Sequence, residues 1–169
     1  AGGTFHSFAN TTLRYYASAI GYPSNFTIMD RSDAEDLIQL LRKENNLGRT
    51  DKRFPKKHTI ANVIGKAVNT RRSIISILEQ EYPQFIDFVE EIEKIQSMYA
   101  AKKQQMMVMD YDDLLVKLLV LLQNHPDVQR TIQSAYRYVM VDEYQDTNAI
   151  QSDLLQALVG PERNLMVVG

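Results

Sequence analysis

The spacing of apolar residues divides the chain into a long helical part and a short final part that mixes strands with a helix. Over the first three-quarters of the chain, apolar residues recur every three or four positions, which is typical of amphipathic helices. The segment FIDFVEEIEKIQSMY (residues 85–99) shows this spacing most clearly, at Phe85, Phe88, Val89, Ile92, Ile95 and Tyr99. The run Leu114–Leu122 is apolar nearly all round, which predicts a buried helix.

Capping and helix-breaking residues predict where the helices begin and end. HSFANTTLRYYASAIGY (residues 6–22) predicts a helix that Gly21 and Pro23 close. SDAE (residues 32–35) has the Ser-x-x-Glu form of a capping box, and the helix that follows has Leu37, Ile38 and Leu41 on one face. Further signals are a loop containing Pro55, a short helix around Thr59–Val68, a helix cap at Asp110 and a first helical turn at Pro126.

The last 34 residues change pattern and predict a βαβ unit. YRYVMV (residues 136–141) predicts a buried strand, NAIQSDLLQALVG (residues 148–160) a helix ended by Gly160, and NLMVVG (residues 164–169) a second strand. The two strands should be parallel because a helix connects them. The predicted fold class is therefore mainly α with a small parallel α/β portion, and ligands bind such sheets at the carboxyl ends of the strands.

Composition and charge narrow the function classes. The chain of 169 residues has no cysteine, three scattered histidines and no apolar run long enough to cross a membrane, so a soluble, intracellular protein is the default. The net charge is −2, but residues 42–72 hold ten basic and two acidic residues, a local charge of +8. This segment predicts either a surface that faces a polyanion or a solvated basic loop.

The residues Asp142 and Glu143 directly follow the first predicted strand. A buried charge is costly unless it is paired or bound to a cation, so the strand either runs out into solvent there or ends in a metal-dependent site. An apolar strand that ends in Asp-Glu is a Walker B arrangement, in which the first carboxylate holds Mg²⁺ and the second orients or deprotonates water. A carboxylate-metal nuclease is disfavoured because its acids would fall in separate elements, at Asp110, Asp112, Asp113, Asp142 and Glu143.

Four segments together resemble the UvrD/Rep family of superfamily 1 DNA helicases. VDEYQDTN (residues 141–148) resembles motif II, with Tyr144 where many members have Phe. GTFHSFA (residues 3–9) resembles the segment after the early single-strand contact motif, and MDYDDLL (residues 109–115) resembles the element that precedes motif II. NLMVVG matches the approach to motif III, so the resemblance covers essentially the whole chain.

The resemblance implies roles for individual residues. Asp142 would be the Mg²⁺ ligand and Glu143 the catalytic carboxylate, while Gln145 and Asp146 would belong to the nucleotide site and link it to neighbouring motifs. The residues that the resemblance implies to contact DNA are Thr4, Phe5 and His6 on the single-strand track and Tyr111 on the helical subdomain. The positive charge of the basic segment adds Lys56 and Lys57 as further candidates for DNA contact. Structural roles are the alternative for two groups of residues. Phe5 and Phe8 could be core residues of the first helix, although DNA contact is favoured for Phe5 and His6. For the aspartates the structural role, as the cap and first-turn acids of a helix, is favoured over a functional one; these are Asp110, Asp112 and Asp113.

One departure from the family pattern concerns phosphate binding. No Gly-x-x-x-x-Gly-Lys-Ser/Thr string occurs, and the only Gly-Lys pair, Gly65–Lys66, is followed by Ala67 in a predicted helix. The arginines that would sense the γ-phosphate from the second motor domain are also missing. We therefore expect that the chain alone does not hydrolyse ATP and binds neither ATP nor Mg²⁺ tightly.

The sequence is interpreted as part of a larger helicase. Residues 1–9 would be the edge of a RecA-like 1A domain, residues 10–134 a helical 1B subdomain and residues 135–169 a further part of 1A. The parent would bind ATP and Mg²⁺, translocate 3′-to-5′ on single-stranded DNA and separate duplex DNA in repair or replication restart. Its partners would be single-stranded and duplex DNA and the remaining helicase domains. No membrane association is expected, and the expected location is the cytoplasm, in association with the nucleoid.

Two other interpretations stay open. The chain could be a non-catalytic helical module that binds DNA or protein, or part of a RecB/AddA-type helicase–nuclease, which the short helical insertion disfavours. Exposed sheet edges also predict self-association, with Phe5, the Tyr15–Tyr16 pair and the end of NLMVVG on the exposed surface.

Overall fold

The computed structural model describes residues 2–48, 53–160, 162 and 164–169, and these residues are mainly helical. The helices are α1 (Phe5–Tyr16), α2 (Arg31–Glu44), α3 (Lys57–Thr70), α4 (Ile74–Glu81), α5 (Val89–Met106), α6 (Tyr111–Asn124), α7 (Pro126–Ala135) and α8 (Ala149–Leu158). The strands are β1 (Thr27–Ile28), β2 (Val108–Met109), β3 (Val139–Val141) and β4 (Leu165–Val167). The predicted fold class, mainly α with a small parallel α/β portion, is confirmed.

The chain forms two compact units. The central unit is Thr27–Asp112, and the terminal unit combines Ala1–Phe26 with Asp113–Gly169. The predicted helical subdomain, residues 10–134, is longer than the central unit at both ends, because α1 and α7 belong to the terminal unit. Among the described helices, none is long and apolar enough to span a membrane.

The core of the central unit is formed by one apolar face from each of α2, α3, α4 and α5. The predicted face of α2 is confirmed, since Leu37, Ile38 and Leu41 are buried. A fully buried Leu or Ile side chain stabilises a fold by about 1.5–3 kcal/mol relative to exposure. The pairing of β1 with β2 is parallel, with Thr27 opposite Val108 and Ile28 opposite Met109, and this short sheet has no counterpart in the sequence predictions.

The start of α2 differs from the sequence prediction. The N-cap is Asp30, whose Oδ1 accepts a hydrogen bond from the Asp33 backbone N–H at 2.9 Å. The predicted capping box at Ser32–Glu35 is therefore wrong, because the helix already begins at Arg31 and Ser32 lies in its first turn. The Glu35 carboxylate instead accepts from Arg31 Nε at 2.7 Å, an (i, i+4) ion pair on the helix surface.

The amphipathic segment of residues 85–99 is confirmed as a buried face but is not one continuous helix. Pro83–Phe88 forms a 3₁₀ helix with the proline in its first turn, and α5 begins at Val89. Phe88, Ile92, Ile95 and Tyr99 are buried as the spacing predicted. A proline fits the first turn because its missing N–H has no helical partner there.

The terminal unit contains the predicted βαβ arrangement. Its longest buried stretch is on α6, at Leu114, Leu115, Leu118, Leu119, Leu121 and Leu122. Pro126 is the first residue of α7, as predicted. Asn148 and Gln151 form a capping box at the start of α8, and the helix ends at Leu158, before the predicted Gly160. β3 and β4 are parallel, with Val139 opposite Leu165 and Val141 opposite Val167, which confirms the predicted topology.

Both strands of this unit are short, and β3 is more exposed than the sequence predicted, whereas the exposed end of NLMVVG agrees with the prediction. Each has three residues, and only Val141 is buried, while Met140 and Met166 are 73% and 58% exposed. The prediction of a buried strand is therefore wrong for the described residues, in which β3 pairs with β4 alone. Self-association through these exposed strands stays a prediction.

Candidate functional site

The candidate site lies at the carboxyl ends of β3 and β4. Val141 is the last residue of β3, and the following residues Asp142–Asp146 are exposed. The carbonyl of Val141 accepts from the Val168 N–H at 2.8 Å, and the carbonyl of Val168 accepts from the Tyr144 N–H at 3.0 Å. These backbone bonds tie the segment after β3 to the end of β4, so both strand ends contribute to one edge.

The backbone reverses direction at Glu143. This residue has φ 52° and ψ 43°, the left-handed region that non-glycine residues seldom adopt. Its N–H donates to Asp142 Oδ1 at 3.0 Å, and its carbonyl accepts from the Asp146 N–H at 2.9 Å. Such conformations occur at functional sites where the surrounding structure holds them. The carboxylates of Asp142 and Glu143 are thus held on a tight turn at the strand end.

The side chain of Gln145 lies between Glu143 and the end of the second strand. Its amide nitrogen donates a hydrogen bond to Glu143 Oε2. On the other side, an added Cβ at Gly169 would overlap Oε1 of Gln145. Only a glycine at this position leaves the amide where it is.

The carboxylates at the strand end are better suited to a magnesium ion that is bound together with a nucleotide than to a magnesium ion held by the protein alone. Within the described ranges, no group of three or more His, Asp or Glu side chains converges in a metal-binding arrangement. Mg²⁺ usually takes one or two protein carboxylates and fills its other positions with water and substrate phosphates. Asp142, exposed at the strand end, is suited to be such a ligand.

The Gly65–Lys66 pair is not a phosphate-binding loop. Both residues lie inside α3, as predicted, and Lys66 Nζ forms an ion pair with Glu81. Lys66 and Arg72 together lower the pKa of Glu81, mainly through the hydrogen bond from Lys66. The charge of Lys66 therefore serves the packing of α3 and α4.

The acids before and within the first turn of α6 contact neighbouring side chains of the central unit. Asp110 Oδ2 accepts from Lys103 Nζ and from the Tyr99 hydroxyl, each at 2.7 Å. Asp112 Oδ1 accepts from the Asn69 amide at 2.7 Å. These contacts support the structural interpretation of the two aspartates over a nuclease site.

The predicted single-strand residues lie at the start of α1 in the terminal unit. Thr4 is the N-cap, and its Oγ1 accepts from the Ser7 N–H at 3.2 Å, so its side chain has a capping role. Phe5 and His6 are half-buried in the first helical turn. Phe8 packs edge-to-face on Tyr136, with 5.5 Å between ring centroids, but it is half-buried and is not one of the buried core residues that the alternative interpretation predicted.

The described cations of the basic segment differ in the side chains that they contact. Lys57 Nζ lies 2.5 Å from Asp36 Oδ1, a hydrogen bond that raises the pKa of Lys57. Arg42 lies over the Phe54 ring, with its guanidinium carbon 4.6 Å from the centroid. Arg49 and Lys52 lie outside the described residues.

Lys56 lies at the N-terminus of α3. It is exposed and occupies the N-cap of α3, which has no side-chain cap and no acid in its first turn. Backbone N–H groups at a helix N-terminus favour anions. Tyr111, the first residue of α6, is 56% exposed beside a cleft that Asp30 and Arg31 help to line.

Sequence reasoning missed two features of the site. One is the left-handed conformation of Glu143, which carries no local signal because the residue is neither Gly nor Asn. The other is the close approach of Gly169 to Gln145. A glycine that ends the second strand of a βαβ unit was the available signal, since such glycines often allow close contact.

Comparison with known proteins finds one matching family and several helicase relatives. The family model of the UvrD/REP helicase N-terminal domain matches residues 1–169. The chain is 34% identical over 168 residues to the ATP-dependent DNA helicase PcrA of Leuconostoc citreum, covering 98% of this chain and 21% of that protein. It is 31% identical over 169 residues to PcrA of Staphylococcus epidermidis and 30% identical over 166 residues to PcrA of Staphylococcus aureus, in each case covering 98% of this chain and 22% of the relative.

The chain thus spans about a fifth of the length of the curated relatives that it matches. The match runs over all the motifs that carry the resemblance, from the segment before α1 to the end of β4. The chain belongs to the UvrD/REP helicase N-terminal domain family.

Proposed function

We propose that this chain is part of an ATP-dependent DNA helicase in which Asp142 and Glu143 serve the nucleotide site. The observation that carries the proposal is the pair of exposed carboxylates on a tight turn at the carboxyl end of β3. The family match over the whole chain and the names of the relatives support it.

The chemistry assigned to the site is hydrolysis of ATP. Asp142 would hold Mg²⁺, which supplies positive charge to the phosphates when it is bound. Glu143 orients a water molecule and accepts its proton as the water oxygen attacks the γ-phosphorus. The bond from the γ-phosphorus to the bridging oxygen breaks, and ADP and inorganic phosphate leave.

The site is incomplete within this chain. No phosphate-binding loop string occurs in the sequence, and its only Gly-Lys pair lies inside α3. We infer that other parts of the parent protein supply the loop and the arginines that contact the γ-phosphate. The isolated chain is then inactive as an ATPase and binds ATP and Mg²⁺ only weakly.

For the parent we propose translocation along single-stranded DNA in the 3′-to-5′ direction and separation of duplex DNA, in repair or replication restart. The terminal unit would belong to the RecA-like 1A domain, because it contains the βαβ arrangement and the two carboxylates. The central unit would be the helical insertion, 1B. Gln145 and Asp146 would link the nucleotide site to neighbouring motifs.

The proposed DNA contacts come from both units. Phe5 and Tyr111 offer aromatic faces on which bases can stack, and His6 offers a polar ring in the same helical turn as Phe5. Lys56 would neutralise a phosphate at the N-terminus of α3. Lys57 would contribute less, because Asp36 already balances its charge.

The nucleotide site is tested in the full-length protein that carries this chain. ATP hydrolysis in the presence of single-stranded DNA should fall by about 10²–10⁴-fold in Glu143→Gln, because the proton acceptor is lost. Glu79→Gln is the matched control, since Glu79 is exposed on α4 and should retain full activity. Unchanged hydrolysis in Glu143→Gln would overturn the assigned role.

The DNA contact is tested by measuring single-strand affinity at several salt concentrations. Loss of one phosphate contact lowers the slope of log affinity against log salt by about 0.7 for single strands, which is the change expected for Lys56→Ala. Lys57→Ala should change the slope less, and Lys94→Ala, at an exposed lysine on α5, should leave it unchanged. An unaltered slope in Lys56→Ala would refute the contact.

A further inference from the structure

We propose that Gln145 is a positioning residue that holds the Glu143 carboxylate for catalysis, and that Gly169 keeps the Gln145 amide in place. This inference deepens the proposed function and rests on it. In this proposal Gln145 acts by holding the carboxylate of Glu143, and it does not bind the nucleotide directly.

The Glu143 carboxylate needs a partner to keep one orientation. The side chain is exposed, and an exposed glutamate has several rotatable bonds with little packing to restrict them. The hydrogen bond from the Gln145 amide nitrogen to Oε2 supplies that restriction. Oε1 is then left to accept the proton of the attacking water.

The backbone of Gln145 is itself held on both sides. Tyr144 N–H donates to the Val168 carbonyl at 3.0 Å, and the Thr147 hydroxyl donates to the Tyr144 carbonyl at 2.8 Å. The Asp146 N–H donates to the Glu143 carbonyl at 2.9 Å. The backbone of Gln145 is thus fixed relative to β4 and to Glu143, which places its side-chain amide within hydrogen-bond reach of the Glu143 carboxylate.

Gly169 provides an independent way to move the amide. An alanine Cβ there would overlap Gln145 Oε1 and lie 3.4 Å from its Cδ. Because the overlap is with the end of a flexible side chain, Gly169→Ala should displace the amide without disrupting β4. It should therefore reproduce the loss of positioning while Gln145 itself is retained.

A positioning role and direct nucleotide binding predict different kinetics. If Gln145 positions Glu143, kcat falls while affinity for nucleotide is kept, because only the geometry of the proton acceptor changes. If Gln145 binds nucleotide, affinity falls. The readouts are therefore kcat and KM for DNA-stimulated ATP hydrolysis, together with the Kd of a non-hydrolysable ATP analogue, all in the full-length protein.

The expected result for Gln145→Met, which keeps the side-chain length and removes the donor, is a decrease in kcat of about tenfold or more with an analogue Kd within about twofold of wild type. Gly169→Ala should show the same signature. Gln156→Met, at an exposed glutamine on α8, is the matched control and should behave as wild type. Far-UV circular dichroism confirms that each variant is folded.

Combined variants test whether the residues act together. Gln145→Met should cause no further loss in a Glu143→Gln background, and Gly169→Ala should cause none in a Gln145→Ala background. A normal kcat in Gln145→Met, or a loss confined to nucleotide affinity, would overturn the positioning role even if Glu143→Gln is inactive. Absence of hydrolysis in the wild-type protein, or full activity of Glu143→Gln, would instead overturn the proposed function and this inference with it.

Discussion

Replacing Lys103 by methionine removes the cation of a buried ion pair in the central unit. Lys103 Nζ lies 2.7 Å from Asp110 Oδ2 and 4.3 Å from the centroid of the Tyr99 ring. The side chains of Lys103 and Asp110 are only 8% and 14% exposed, so solvent screens the pair weakly. Methionine keeps most of the apolar stem of lysine and therefore isolates the effect of the charge.

The expected loss of stability follows from this burial. Removing one partner of a buried ion pair costs about 3–5 kcal/mol, because the remaining charge stays in a poorly hydrated site. Because Asp110 keeps some exposure to water, the loss of stability in Lys103→Met should be near the lower end of this range, about 3 kcal/mol. The double variant Lys103→Met/Asp110→Asn should recover most of this loss and cost only about 1 kcal/mol, because no buried charge remains.

The measurement is urea unfolding of the 169-residue chain followed by far-UV circular dichroism, since the chain has no tryptophan. Stability is compared from the urea concentration at the midpoint of each transition. The slope of the transition must be the same in all variants, because a changed slope would mean that the surface exposed on unfolding has changed. Lys57→Met is the control, because its partner Asp36 is 66% exposed and solvent screens that pair. Its loss should be much smaller than that of Lys103→Met.

Two outcomes would refute the reasoning. One is an equal loss in Lys103→Met and Lys57→Met, which would mean that burial does not strengthen the Lys103–Asp110 interaction. The other is a double variant that is no more stable than Lys103→Met, which would mean that the Asp110 carboxylate left without its lysine is not the source of the loss.

The remaining predictions concern acid stability and one helix end. The pKa of Glu81 lies below its ordinary value of 4.5 because of Lys66 and Arg72, so its stabilising effect is present above that pH and is lost as the pH falls through the lowered pKa. Between about pH 6 and pH 3, the midpoint temperature of thermal unfolding should therefore fall less in Glu81→Gln than in the wild-type chain. An equal fall in the two midpoint temperatures would contradict this prediction. Met107 is left-handed at φ 54°, a conformation that costs about 1–2 kcal/mol, so Met107→Gly should stabilise the chain by about 0.5–1 kcal/mol after the entropy of the unfolded glycine is counted. Met106→Gly, in the last helical position of α5, should instead destabilise by about 0.5–1 kcal/mol, and urea midpoints that do not move in opposite directions would refute this contrast.

The sequence alone predicted the features that depend on local spacing. The buried faces of α2 and α5 follow from apolar residues three and four positions apart, and this spacing holds whatever the rest of the molecule does. The parallel pairing of β3 and β4 follows because a helix separates them. The position of Asp142 and Glu143 at the end of β3 was predicted because these residues directly follow the apolar run YRYVMV.

Other features depend on residues that are distant in the chain. The pairing of β1 with β2 joins two-residue segments that carry no strand signal of their own. The cap of α2 is Asp30 because its backbone is extended at that point, and the sequence alone favours Ser32 equally well. The exposure of β3 and β4 depends on which other strands pair with them, a property that apolar composition does not record.

At the candidate site, the sequence determined which residues are present, and the tertiary structure decided how they meet. The run VDEYQDTN places two carboxylates and a glutamine within four positions. The approach of Gly169 to Gln145 arises only when β4 lies beside β3, and the bond from the Tyr144 N–H to the Val168 carbonyl ties the residue after Glu143 to the end of β4. The physical reason is that hydrogen bonds between strand ends depend on contacts across a whole helical crossover, whereas helical faces depend on neighbours one turn away.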